Sequence, residues 1–496
     1  MFSRFSRFPR GSKLSKVSRL HKIGFVVASW GLSWVYFTHT RQSIFENNKR
    51  FTVDEILIHN NRKDGIWVTR GDSVYDISSF VDNHPGGIDK ILLAAGKSID
   101  PFWKIFSIHH SSYVFDTLQE YYIGKIQHDE DTAILQSNDS MSKLFKDEPT
   151  RLLDFFTVLS EHPFNAETKS EHLDGNYITD NKAFYIRNHL PVPATNEEDY
   201  TLEINIDDKQ HLITLQQLKT GFPQKEIIAT LQCSGNRRNQ MLPKTQGLPW
   251  GIGAIGTAKW KGVTGYDVLH SVGFANEMDT KFKHVEMCGK DGYCTSIPLD
   301  KFLQMDTILA IEMSGEKLPI DHGAPLRAVV PGYIGARSVK WLHSISLIEE
   351  ESKSFWQQKD YKLFPSAFDG KDVLPTEADY AATPSLQKMP IQSAIVKVTH
   401  GENATSISGY AISGTGGKIS RVDVSNDGGE TWAKATVFNE DHWAWTLWKA
   451  EFPKDEKRQQ HFICKAIMNE EEQPKELKDI WNYRGLLNNS WHNIHF

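Results

Sequence analysis

Residues 127–150, QHDEDTAILQSNDSMSKLFKDEPT, are rich in Asp, Ser and Asn and poor in periodic apolar residues. Neither an amphipathic helix nor a half-buried strand can be drawn through such a run, so it reads as a flexible tether. A tether forces the chain to fold as separate bodies, a short one before it and a much longer one after it. For 496 residues, at roughly 150 residues per domain, about three domains are expected.

The first 45 residues differ in kind. Met1 to Phe45 holds eight Lys or Arg and no acid, and Ile23 to Phe37 is an uncharged run of 15. A basic, Ser-rich, acid-free leader reads as a mitochondrial presequence, and the apolar segment behind it fits sorting to the intermembrane space. A membrane anchor is the alternative, but a spanning helix needs about 20 residues. The formal charge of −6 and the lack of a basic, aromatic-interleaved stripe beyond this leader argue against a nucleic-acid surface. Four scattered cysteines without a CxxC argue against a disulfide scaffold and against a zinc site.

Residues 48–127 alternate strand-like runs, GIWVTRG and SVYDIS, with helix-like runs, DKILLAAG and SSYVFDTLQEYYIG, each closed by glycine. They make a small α+β unit. In DNHPGG, His84 precedes residues of little bulk, where backbone can approach a flat ligand. The pattern WV…G.VYD…F…HPGG, with His109 placed 25 residues after His84, resembles the cytochrome b5 family. The resemblance implies haem b held between His84 and His109, with His110 adjacent to the second ligand. Two imidazoles leave no open iron position, so such a haem relays single electrons.

Residues 151–385 alternate strand-like and helix-like runs. YTLEINI alternates as a strand, TLQQLKTGF reads as a helix, and KEIIATLQC is an apolar strand that delivers Cys233 at its C-terminal end. Strand ends are where α/β proteins place ligands. Taken alone, an isolated Cys is usually inert core. In IATLQCSGNRRNQM, however, two arginines follow Cys233 by four and five residues, and positive charge favours a thiolate. Further segments, AFYIRNHLPVP, LPWGIGAIGTAKWKGV, DHGAPLRAVVPGYIGARSVKWL and NYRGLLNNSWH, put basic residues and glycines outside amphipathic helices. That pattern suits backbone and cations gathered around an anion. From 386 to 496 the runs become strands only, with a hairpin turn at Asp427-Gly428-Gly429, as in an immunoglobulin-like β-sandwich.

In one order, these segments resemble the sulfite oxidase family of molybdenum enzymes from Phe51 to the C-terminus. The fold expected is therefore multidomain α+β: a cytochrome b5-like domain, a mixed α/β molybdopterin domain and the C-terminal sandwich as a dimerisation domain. The resemblance implies that Cys233 ligates molybdenum through its thiolate. Phe184, Tyr185, Ile186, Arg187 and Asn188, with Asp291, His322, Arg327, Ser338, Val339 and Lys340, would grip the pterin and its phosphate. Arg187, Arg238 and Arg484 would converge on sulfite, since guanidinium groups bind oxyanions by multidentate hydrogen bonds. Tyr361 matches the active-site tyrosine.

The implied reaction is oxidation of sulfite to sulfate, with electrons leaving singly through haem to cytochrome c, in a homodimer. An assimilatory nitrate reductase is the rival enzyme, but it places haem after molybdenum and adds a flavin domain. A b5-type electron carrier with a non-catalytic large domain is the rival from another class; it would have no need of the cysteine, arginine and tyrosine set.

Overall fold

The structure is a computed structural model that describes residues 49–84, 87–106, 109, 112–127, 134–135, 144–146, 148–274, 281–453 and 461–495. The expected presequence, His110 and most of the tether lie outside them. The chain packs as two units. The smaller takes the chain up to Ser79, Ala94–Ile99 and Asp116–Gln136; the larger takes Phe80–Leu93, Asp100–Phe115 and Ser137–Phe496.

The smaller unit is built on a six-stranded sheet. Its path runs through Arg50–Phe51, Tyr122–Ile126, Ser73–Asp76, Gly65–Arg70 and Asn60–Asn61, and Lys97–Ser98 pairs with Gly65–Arg70. Helix Val53–Ile58 starts where the sequence provides a capping box: Thr52 Oγ1 accepts from Glu55 N while Thr52 N donates to Glu55 Oε2. Val53 and Ile56 then face Phe51, Val74, Ile126 and Leu135 in the core. One expectation is corrected. SSYVFDTLQEYYIG is not one helix: the helix ends at Gln119, and Tyr122–Ile126 is a strand. Pairing with two neighbouring strands outweighs local helical periodicity. Gly124 serves close approach there, since a Cβ would strike the Lys49 carbonyl.

Described residues of the expected 128–150 tether make packing contacts. Leu135 is buried in the small core, while Phe145 stacks on His162 with ring centroids 4.5 Å apart and Glu148 Oε1 accepts from Val192 N at 2.9 Å.

The larger unit holds two central five-stranded sheets. One orders Lys209–Thr214, Thr201–Ile206, Leu342–Ile348, His284–Gly289 and Cys294–Pro298. The other runs Lys225–Gln232, Ile255–Thr264, Ile308–Met313 and Glu316–Lys317, with Arg327–Val329 added beside Ile308–Met313. Pairing is antiparallel except between Thr201–Ile206 and Leu342–Ile348. The helices Leu215–Thr220, Gly265–Ser271 and Leu299–Phe302 are too short for long parallel crossovers. Toward the C-terminus, two antiparallel sheets share a core of Ile395, Ile407, Val422, Val424, Trp448, Phe462 and Cys464, the sandwich that alternating strand runs imply. Among the described residues no helix is long and apolar enough to cross a membrane.

Candidate active site

Strand Lys225–Gln232 is held by Ile255–Thr264 along its full length and releases the chain at Cys233, whose N donates to Ala254 O at 2.9 Å. Asn236 closes the turn: its N donates to Cys233 O, its Oδ1 accepts from Ala254 N, and its Nδ2 donates to Tyr410 Oη. Gly235 N donates to Cys233 Sγ at 3.4 Å. The two arginines then part. Arg237, left-handed at φ 64° and 1% exposed, donates to the Ser393 and Ser490 carbonyls of the C-terminal region. Arg238 donates to the carbonyls of Arg484, Gly485 and Leu248. It lies so close to the turn that a Cβ on Gly235 would collide with its guanidinium.

The C-terminal segment returns to this turn, as the sequence reading required. Leu487 N donates to Ser234 O at 2.7 Å and Asn488 Nδ2 to Arg237 O at 2.9 Å. Arg484 is thereby set against Asp360, with which it forms an ion pair.

Cys233 opens onto a cavity. Its wall takes in Phe184, Tyr185, Arg187, Asn188, Asp291, His322, Arg327, Ser338, Val339, Lys340 and Tyr361, all named from the sequence. Three named residues do not line it. Ile186 turns into a separate core with Phe156, Phe164 and Ala166, because neighbours on a strand face opposite ways. Arg238 and Arg484 are absent from the lining, yet Arg238 acts electrostatically with Cys233, Arg187 and Tyr361, and Arg484 with Tyr361.

The wall is cross-braced. Lys340 Nζ donates to Asn188 Oδ1 and to Asp321 O. Arg327 donates to the carbonyls of His322 and Ser338 at 2.9 and 3.1 Å, and Ser338 Oγ accepts from Val330 N. Arg187 donates to Asn165 Oδ1 at 3.1 Å. Tyr361 follows a single π-helical turn, Trp356–Asp360, a distortion frequent at functional sites.

Burial dominates the electrostatics. It pushes Lys340 down to about 7 and both Arg238 and Arg327 down to about 10. It lowers His322 to about 3, raises the Tyr361 phenol above its ordinary value and raises the Asp291 carboxyl. Asn188 Nδ2, Ser234 Oγ and Arg484 Nε are buried without a hydrogen-bond partner. Cations that burial destabilises, beside orphaned donors, fit an anionic ligand with several acceptor oxygens. Among the described residues no group of three or more His, Cys, Asp or Glu could hold a metal.

Sequence reasoning missed four residues here. His189 Nε2 and Tyr361 Oη are 2.7 Å apart, and the imidazole stacks on Tyr293, centroids 4.6 Å apart. Burial, with the charges of Arg187, Lys340 and Arg484, holds His189 well below its ordinary pKa, so it is neutral. Asp321 lines the cavity and pairs with Arg151 at 2.7 Å; an isolated arginine reads as a surface charge, but this one is buried between Asp321 and Glu148. A further omission is the disulfide Cys288–Cys294. The spacing that rules out a disulfide scaffold does not rule out one bridge within a hairpin.

The second candidate centre lies in the segments carrying His84 and His109. Their rings are nearly parallel, 9° apart, with centroids separated by 6.5 Å. Two imidazoles bonded to one metal, each with a nitrogen–metal bond of about 2 Å, put their ring centres roughly 6 Å apart. His84 Nδ1 donates to Gly87 O at 3.0 Å, which leaves Nε2 free of its proton to bind a metal. These residues fit a bis-imidazole haem.

Residues 52–127 match the cytochrome b5-like heme/steroid binding domain, residues 189–356 the oxidoreductase molybdopterin binding domain, and residues 383–496 the Mo-co oxidoreductase dimerisation domain. The sulfite oxidase of Gallus gallus is 40% identical over 464 residues, covering 89% of this chain and 99% of that protein. The mitochondrial sulfite oxidase of Homo sapiens is 40% identical over 485 residues, covering 93% and 86%. Among solved structures, the sulfane dehydrogenase SoxCD of Paracoccus pantotrophus shares the fold, with a TM-score of 0.58 and 23% identity over 74% of this chain and 92% of that one. With relatives of this identity spanning nearly its whole length, and with all three domains matched in order, the chain belongs to the sulfite oxidase family.

Proposed function

We propose that this protein oxidises sulfite to sulfate at a molybdenum–pterin centre ligated by Cys233 and passes the electrons through haem b, held by His84 and His109, to cytochrome c. The observation that carries the reading is the buried free thiol of Cys233 facing a wall of buried, destabilised cations. When bound, the molybdenum–pterin group supplies the two-electron oxygen-atom transfer, and haem supplies a one-electron relay.

The chain's own residues do the binding and positioning. Phe184, Tyr185, Arg187, Asn188, Asp291, His322, Arg327 and Ser338 to Lys340 hold the pterin and its phosphate; Lys340 and Arg327 give charge, while Asn188 offers its unpaired amide nitrogen. Arg187, Arg238 and Arg484 supply a positive field that draws the sulfite dianion out of water. Arg238 does so from a position fixed by three backbone carbonyls, so its charge does not move when substrate enters. Tyr361 presents a hydroxyl oriented by neutral His189.

The domains follow as 48–127 for haem, 151–385 for the catalytic body and 386–496 for homodimer formation. The leader 1–45 directs the protein to the mitochondrion and its intermembrane space.

The deciding experiment is Cys233→Ser. A hydroxyl is a far poorer donor than a thiolate to a soft-ligand site. The variant is expected to fold and to retain pterin and haem by analysis, yet to lose sulfite-dependent reduction of every acceptor. Substantial remaining turnover would refute the assignment.

A further inference from the structure

Asp291 and Tyr293 reach the cavity from the tip of one hairpin, formed by His284–Gly289 and Cys294–Pro298. Cys288 and Cys294 are opposed in its register, with Cα atoms 4.2 Å apart and the sulfurs bonded. The bridge encloses the tip, where Gly289 N donates to Tyr293 O and Gly292 N to Gly289 O, both at 2.9 Å. Asp291 is 5% exposed and accepts from Tyr293 N. Tyr293 donates to Ala336 O and stacks on His189. The bridge therefore constrains a turn of which two side chains are cavity wall, one of them packed on the partner of Tyr361. Both bridged cysteines are half-exposed, whereas Cys233 and Cys464 are buried free thiols.

We propose that Cys288–Cys294 is a redox-modifiable clip on the cofactor cavity: oxidised, it holds Asp291 and Tyr293 in the wall; reduced, it lets the tip loosen and weakens retention of the pterin. The reductant is a dithiol. One donor thiolate attacks a bridge sulfur, the S–S bond breaks and a mixed disulfide forms. The second donor thiolate then attacks the first donor sulfur and displaces the protein cysteine as its thiolate. Two electrons and two protons end on Cys288 and Cys294 as thiols, and the donor becomes a disulfide. Cross-linking removes chain entropy from the opened tip, which is why the clip acts on retention rather than on chemistry. The retention arm rests on the pterin reading above; the linkage arm does not.

The test uses full-length holoenzyme isolated with free thiols alkylated. Trypsin cuts after Lys290, inside the loop, so peptides bearing Cys288 and Cys294 stay joined until a reductant is added. Finding both cysteines already alkylated overturns the clip. Pterin released into filtrate, followed by fluorescence, is expected to rise several-fold after dithiothreitol treatment. The Cys288→Ser/Cys294→Ser double variant is expected to release at the faster rate with or without dithiothreitol. Equal release from oxidised and reduced wild type, or an equal dithiothreitol response in the double variant, overturns it. Should the double variant fail to load pterin, release from reduced and oxidised wild type decides alone. Joined peptides in a folded protein that never binds pterin would refute the proposed function and leave the bridge standing.

Discussion

His189 Nε2 lies 2.7 Å from Tyr361 Oη, and the two residues are 172 positions apart in the chain. One follows the strand that carries Arg187 by two residues and the other ends a π-turn, so the contact exists only once the body is assembled. It makes the tyrosine hydroxyl a directed group. Tyr361→Phe and His189→Ala are each expected to lower the second-order rate constant for sulfite by about tenfold, the scale of one lost hydrogen bond at a buried site. The double variant is expected to lose less than the product of the two. Steady-state kinetics arranged as a double-mutant cycle measures this, and full additivity would mean the pair is not coupled.

Arg151 and Arg421 look alike in sequence and differ in structure. Arg151 is enclosed by Glu148 and Asp321; Arg421 pairs with Asp423 with its own side chain 44% exposed. Breaking a buried ion pair strands a charge, so Arg151→Gln is expected to destabilise the protein by about 3 kcal/mol. Because Asp321 belongs to the cavity wall, cofactor retention should fall too. Arg421→Gln is expected to change neither, as thermal unfolding and pterin content would show.

Lys340 sets a pH dependence. With protein groups alone around it, its ammonium titrates near 7. Above that pH an anionic ligand must bind together with a proton, so pterin retention is expected to weaken as pH rises from about 7, by at most about tenfold per unit. Lys340→Arg, always charged, should flatten the profile of release against pH. The same shift has the opposite sign for cofactor-free stability. Between about 7 and the unfolded value of 10.5 the unfolded chain binds the proton more tightly, so unfolding free energy rises with pH there.

His84→Ala and His109→Ala are each expected to abolish the six-coordinate haem spectrum. Neither side chain belongs to the Phe51, Val53, Ile56, Val74 and Ile126 core, so strand circular dichroism should persist. Sulfite-dependent reduction of an acceptor that bypasses haem should persist as well. Loss of that activity together with the haem spectrum would show that the relay is not separable.

The substrate side is tested by Arg187→Gln, Arg238→Gln and Arg484→Gln. Arg187 lines the cavity, and a charge-assisted hydrogen bond to a buried anion is worth about 1.5–3 kcal/mol, so Arg187→Gln should lower the rate constant for sulfite by about tenfold or more. Arg238→Gln and Arg484→Gln each remove one positive charge from outside the lining and should lower it by less. Arg238→Gln should in addition lower the melting temperature, since its guanidinium is bonded to three carbonyls.

By itself the sequence determined what depends on neighbours along the chain. Strand Lys225–Gln232 and its delivery of Cys233, the capped helix Leu215–Thr220 and the hairpin at Asp427-Gly428-Gly429 follow from local alternation, capping and turn chemistry. The wall residues from Phe184 to Lys340 were legible only through the resemblance of their segments to the sulfite oxidase family. What only the tertiary structure decided are relations between distant segments. Strand pairing turned Tyr122–Ile126 out of its expected helix. Packing buried Leu135 of the expected tether, and it separated Arg237, bound to the Ser393 carbonyl, from Arg238, bound to the Arg484 carbonyl. Burial made Arg151 a buttress, His189 a neutral partner and Lys340 a group titrating near 7. The physical reason is one of range: periodicity and capping act over a few residues, whereas desolvation and hydrogen-bond partnership depend on everything the fold brings within a few ångströms.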